Sequence, residues 1–267
     1  MATKRKEYRL RGGDIIDREE FPDIRHGAPG GKRLEKKKPT KEDMQKVNAA
    51  NKERRARQRL LEYFNPGDVW ATWTYLVEER PASMAAAVDD FGRAMRIVRR
   101  EYKKRNRELF WIRNIEKGTK GAWHIHIIVN EIGDTASIIQ KAWKKGGTWF
   151  TEIRKSKFYD EDFSKLSNYI TKDENTQEKK KDGSLAKPRI AESSYNTSRN
   201  MPLPKPRVQK LVRWPKESKP IKGYYIARIH EGINSKTGFK YRHYTMIRLN
   251  PRKNTGWNRE NVERMQI

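Results

Sequence analysis

The stretch LFWIRNIEKGTKGAWHIHIIV, residues 109–129, decides how the chain folds. Both ends are β-branched and aromatic, whereas 117–121, Lys-Gly-Thr-Lys-Gly, is polar and carries two glycines. Two strands, 109–116 and 123–129, joined by that short loop make an antiparallel hairpin. Side chains alternate along a strand, so His124 and His126 leave one face while Ile125 and Ile127 leave the apolar one. If residue 114 or 116 lies opposite His124, Glu116 joins the histidine face.

Working outward, VWATWTYLV at 69–77 is another strand, bounded by Pro66-Gly67 and Pro81. Met84, Val88, Phe91, Met95, Val98 and Tyr102 recur at spacings of three and four, which predicts an amphipathic helix with one buried stripe. A helix over 135–144, a strand over 148–154 and a short helix over 162–172 follow. The order β-α-β-β-α-β-α predicts an α+β fold, an antiparallel sheet of about five strands with helices packed on one face.

Around this palm (67–172) the sequence suggests basic extensions. Residues 1–66 read as a glycine-bearing arm followed by a helix from Thr40 with an Arg-rich run over 52–59, either a solvated face or a DNA-contacting one. Residues 173–223 are polar, basic and proline-containing, and read as a linker or clamp. Residues 224–267 carry a second hairpin, with strands over 224–229 and 241–249.

Sixty-one Lys and Arg against 34 Asp and Glu leave a net charge of +27, and 36% of residues are charged against 34% apolar. That balance argues against most small-molecule enzymes and makes a polyanion the expected partner, with 8 Trp and 11 Tyr as surfaces for base stacking. No run is long enough for a membrane span, and no apolar segment follows the basic N-terminus, so a cytoplasmic protein is expected. Without cysteine there is no disulfide or thiolate metal site, and any metal must be held by His, Asp or Glu. Gly30-Gly31-Lys32 lacks the strand and the Ser or Thr of a phosphate-binding loop, which argues against a nucleotide-driven motor.

A His-x-His pair alone is most often two half-exposed histidines of an edge strand. With Glu116 beside it, two imidazoles and a carboxylate make a compact site for a divalent metal, Mg²⁺ or Mn²⁺.

The strand 69–75, the His124-Ile125-His126 element and the helix Leu166-Ser167-Asn168-Tyr169-Ile170-Thr171-Lys172 stand in the order of the three motifs of HUH endonucleases. Over roughly 68–205 the chain resembles the rolling-circle replication initiators (Rep proteins) of plasmids and single-stranded phages. The resemblance implies a nicking domain of HUH or RRM-like palm type. It also implies metal ligands at His124 and His126, a third at Glu116, and Tyr169 as the nucleophile. Two-tyrosine members carry a second tyrosine one helical turn away; positions 165 and 173 here are Lys and Asp, so the chain resembles the single-tyrosine members.

The residues suit that chemistry. Tyr169 and Lys172 are three apart on one helix face, and a phenol with an ordinary pKa near 10 needs a cation to favour the phenolate. Lys172 and the metal would supply that charge, giving a 5′-phosphotyrosine and a free 3′-hydroxyl with no nucleotide consumed. Tyr159, just before the helix, is the fallback nucleophile. The expected partners are DNA, as a single strand or origin hairpin, and a host helicase and polymerase. The competing readings are a non-catalytic RNA- or DNA-binding protein, indifferent to EDTA, and a relaxase or transposase using the same chemistry.

Overall fold

The structure, a computed structural model, describes residues 2–23, 40–177, 183–234 and 238–250. The glycine run at 27–31, Lys179 to Lys181 and the C-terminal tail from 251 lie outside them. The chain divides into two compact units, one made of Lys41–Pro202 and the other of Met1–Thr40 with Leu203–Ile267.

The first unit holds the palm. Strands β3 (Val69–Thr74), β4 (Trp111–Gly118), β5 (Trp123–Val129), β6 (Thr148–Glu152) and β7 (Ile190–Thr197) form a five-stranded sheet ordered β6-β3-β5-β4-β7. Every neighbouring pair is antiparallel. The hairpin is the expected one, with a tighter turn. Gly121 adopts φ +78° and donates to the carbonyl of Gly118, whose own N–H bonds Ala122.

Helices α2 (Met84–Lys104) and α3 (Thr135–Ala142) cover one face of this sheet. Ser83 caps α2 by accepting from the Ala86 N–H, and the Phe91, Met95, Val98 and Tyr102 stripe is buried as its period requires. Opposite it lie Ala71, Trp73, Ile115, Ile125 and Ile127, each fully buried and each worth about 1.5–3 kcal/mol for the larger side chains. Trp73 stacks on Trp143 at 4.8 Å, and the Trp143 indole N–H bonds the Thr74 carbonyl at 2.9 Å.

Helices were expected on one face only. Instead α1 (Lys41–Tyr63) and α4 (Ser164–Ile170) pair with each other, and α4 places its tyrosine against the histidine face. The reason is chemical. The buried contacts of α1 with the α4 segment are polar, so hydrophobic periodicity does not report them: Arg57 pairs with Asp162 at 3.4 Å, Ser167 donates to Glu53 at 2.5 Å, and Lys52 pairs with Asp173 at 2.7 Å. Arg57, inside the Arg-rich run, is therefore neither solvated nor free for DNA.

Two further readings need correction. Residues 173–223 are more than a linker, because β7 completes the palm sheet and β8 (Arg207–Leu211) belongs to the other unit's sheet. As an edge strand with mostly polar residues, β7 leaves little apolar signal; it is held by the β4 ladder and by Arg113, which donates to the Ser194 carbonyl at 2.5 Å. Nor is the N-terminus an arm. Strands β1 (Thr3–Leu10) and β2 (Ile15–Pro22) join β8, β9 (Tyr224–Ile233) and β10 (Lys240–Arg248) in a second sheet ordered β8-β1-β2-β10-β9. The residues this sheet buries are largely charged: Arg5 pairs with Glu20 and Arg18 with Glu7, both at 2.7 Å, and Arg242 approaches Glu20 at 3.5 Å. Alternation of burial is present, but alternation of hydrophobicity is not. The expected C-terminal hairpin is found as β9 and β10, with β10 paired to β2 in the sheet interior rather than appended.

One glycine is dictated by backbone proximity. A Cβ on Gly146 would collide with the Thr74 carbonyl and the Leu76 amide where the chain turns into β6. Gly146→Ala is expected to lower stability by about 1–3 kcal/mol, read as a reduced midpoint in urea unfolding.

Candidate active site

Register across the palm sheet assembles the site in rows. Glu116 lies opposite His124, and His124 opposite Thr74. In the next row Tyr195, Asn114, His126, Thr72 and Trp149 follow one another over β7, β4, β5, β3 and β6. Parity therefore puts Glu116, His124 and His126 on one face, as the sequence led us to expect.

The His126 ring is fixed from both sides. Its Nδ1 lies 3.0 Å from Thr72 Oγ1, while Nε2 faces Glu116 Oε2 at 3.6 Å and Tyr169 Oη at 3.5 Å. The His124 ring lies parallel to it, with centroids 6.2 Å apart. Burial, reinforced by His126 and opposed by Glu116, holds the His124 pKa below its ordinary value, so at neutral pH the ring keeps a lone pair for a ligand. Glu116 accepts at 2.9 Å from Asn114 Nδ2, which also donates to the Lys172 carbonyl at 2.8 Å. Asn114, fully buried, thus ties the carboxylate to the end of the tyrosine helix.

Helix α4 presents Tyr169. Its Leu166 and Ile170 are fully buried, as expected, which leaves Tyr169 partly exposed on the sheet side. The phenol ring packs between Phe158, at 3.9 Å, and Trp70, at 5.1 Å, with the His126 ring edge-on at 5.3 Å. The Lys172 ammonium sits 5.0 Å from the centre of the same ring. The other tyrosines are placed differently. The Tyr195 hydroxyl is buried without a hydrogen-bond partner and its pKa is pushed up to about 12 by burial, while Tyr159 packs edge-on to Phe163.

Bracing of α4 rests on buried charge. Arg57→Ala would leave Asp162, 4% exposed, without its cation. Loss of about 3–5 kcal/mol is expected, seen in chemical denaturation, with adduct formation lost at temperatures where the intact protein works.

In front of these residues opens a cleft of about 760 Å³, lined by Trp70, Trp149, Phe158 and Tyr169 among others. Lys155, Lys157, Lys172, Lys187 and Arg189 line it too, with Glu116 as the lone carboxylate. Such a wall suits a phosphodiester backbone with bases against the rings.

Among the described residues, no three His, Asp or Glu side chains stand together as a cluster able to hold a metal ion. Two of the three expected donors do converge. The 3.6 Å between His126 Nε2 and Glu116 Oε2 exceeds a hydrogen bond and suits two atoms bound to one small ion at about 2.1 Å each. His124 would complete the set by turning its ring.

Sequence reasoning missed Thr72, Asn114 and Trp149. Their signal was parity, since Asn114 is two residues before Glu116 and Thr72 and Trp149 occupy the His126 row. Only the strand pairing turns that parity into proximity.

No helix among the described residues is long and apolar enough to cross a membrane. No curated protein and no solved structure matches the chain significantly. Residues 68–174, from the start of β3 to just past the tyrosine helix, match the family of the replication-associated protein ORF2. The palm of this chain, with its histidine strand and tyrosine helix, is thus a domain of the replication-associated protein ORF2 family.

Proposed function

We propose that the protein is a replication initiator that nicks single-stranded DNA at an origin and later rejoins strands, with Tyr169 as nucleophile. The observation that carries this reading is the Tyr169 hydroxyl 3.5 Å from His126 Nε2, on the same sheet face as Glu116 and His124 and inside a cation-lined cleft. Cations along the cleft hold the strand's phosphates, and Phe158 and Trp70 fix the phenol ring so that its oxygen points at the scissile phosphorus. The phenol oxygen bonds to phosphorus, the bond from phosphorus to the 3′-oxygen breaks, the phenol proton passes to solvent, and the departing 3′-oxygen takes up a proton. A 5′-phosphotyrosine and a free 3′-hydroxyl result. Lys172, close to the phenol ring, favours the phenolate and the charge that grows on the phosphoryl group.

Mg²⁺ or Mn²⁺ held by His124, His126 and Glu116 would polarise a non-bridging phosphate oxygen and orient the scissile bond. Thr72 and Asn114 keep two of those side chains in place. DNA is the partner this chemistry requires, and a host helicase and polymerase would extend the 3′-hydroxyl.

Incubation of the protein with labelled single-stranded oligonucleotides and Mn²⁺ should give an adduct that survives denaturation, disappears with EDTA and maps to Tyr169 by mass spectrometry. Binding without any adduct, unchanged by EDTA, would replace this reading with that of a non-catalytic nucleic-acid-binding protein.

A further inference from the structure

We propose that Trp149 is the platform on which a base of the DNA strand stacks beside the scissile position. The inference rests on the proposed function and deepens it by naming how the cleft holds its substrate. Trp149 belongs to β6, the edge strand of the palm sheet on the side away from β7. Its register partner is Thr72, whose other partner is His126, so the indole stands two strands from the histidine on the same face. At about 4.8 Å per strand that is on the order of 10 Å, within the reach of a nucleotide flanking the reacting phosphate.

The indole is 57% exposed and stacks on no other ring among the described residues, whereas Trp70, Trp73, Trp123 and Trp143 are all buried. It nevertheless lines the cleft that holds Tyr169. Lys155, Lys157, Lys187 and Arg189 line the same cleft, so a strand whose phosphates meet these cations can turn its bases to the indole. An uncharged apolar ligand would leave the cations unused, and a duplex would keep its base faces stacked inside the helix. A single strand offers both a polyanion and open π faces.

The test is equilibrium binding of the full chain in EDTA, read by fluorescence anisotropy, to a labelled thymidine oligomer and to an abasic strand of the same length and charge. The intact protein should prefer the thymidine strand. Trp149→Ala should bind it roughly 5- to 100-fold more weakly, the effect of losing one stacked base, and should lose most of the preference over the abasic strand. Trp149→Phe should keep most of both. Affinity for the abasic strand should be the same in all three proteins, because the cations are untouched. If Trp149→Ala stays within about twofold of the intact protein on the thymidine strand, or keeps its preference over the abasic strand, the platform assignment falls. Should that happen while the intact protein still forms the Tyr169 adduct, the nicking reading stands alone. If the intact protein binds no single strand, both readings fall together.

Discussion

Tyr169→Phe abolishes the covalent DNA adduct and leaves the fold in place. The substitution removes one oxygen from a ring held by Phe158, Trp70 and Lys172, and all three contacts are to the ring. The hydroxyl's contact with His126, at 3.5 Å, is at the limit of hydrogen bonding, so the stability lost is at most about 1 kcal/mol. Without the oxygen there is no atom to bond to phosphorus, and neither Tyr159 nor Tyr195 substitutes. Tyr195 is a strand residue with a buried hydroxyl, and Tyr159 is not among the residues lining the cleft. The measurement is denaturing electrophoresis of labelled oligonucleotide with Mn²⁺, beside thermal unfolding of the same sample. An adduct of normal yield in the Phe variant would remove Tyr169 from the reaction.

Replacing both His124 and His126 with Ala has the second large effect. Nicking should fall on the order of 10³-fold or more, since loss of a Lewis acid worth several kcal/mol appears directly in the barrier. Affinity for single-stranded DNA should change little, because the cations of the cleft and the +27 charge of the chain supply it. A divalent-ion titration separates the ligands: Glu116→Ala should raise the Mn²⁺ needed for half activity without abolishing turnover. Equal loss of binding and cleavage in the double variant would point to a folding defect, whereas cleavage at the normal rate would exclude both histidines as ligands.

Much of the site is legible in the amino-acid sequence. Period-two alternation in 123–129 puts His124 and His126 on one face whatever surrounds them, and spacings of three and four define the buried stripe of α2. Tyr169 and Lys172 share a helix face for the same geometric reason. A family domain limited to 68–174 agrees with where these patterns are strongest.

Wherever burial is achieved by charge, the sequence is silent. Arg5, Glu7, Arg18 and Glu20 are buried because each finds a partner on a neighbouring strand, and no rule of apolar alternation distinguishes them from a solvated arm. The same holds for Arg57 with Asp162, which turns an Arg-rich helix face into the support of α4. Local rules therefore determined the face to which each histidine, carboxylate and tyrosine belongs. Tertiary structure alone decided which residues of those faces meet, bringing β7 to the edge of β4, Thr72 to His126, Asn114 to Glu116 and Trp149 into the cleft. The physical reason is that alternation acts within a single strand, whereas pairing register and polar partnership join segments far apart in the chain.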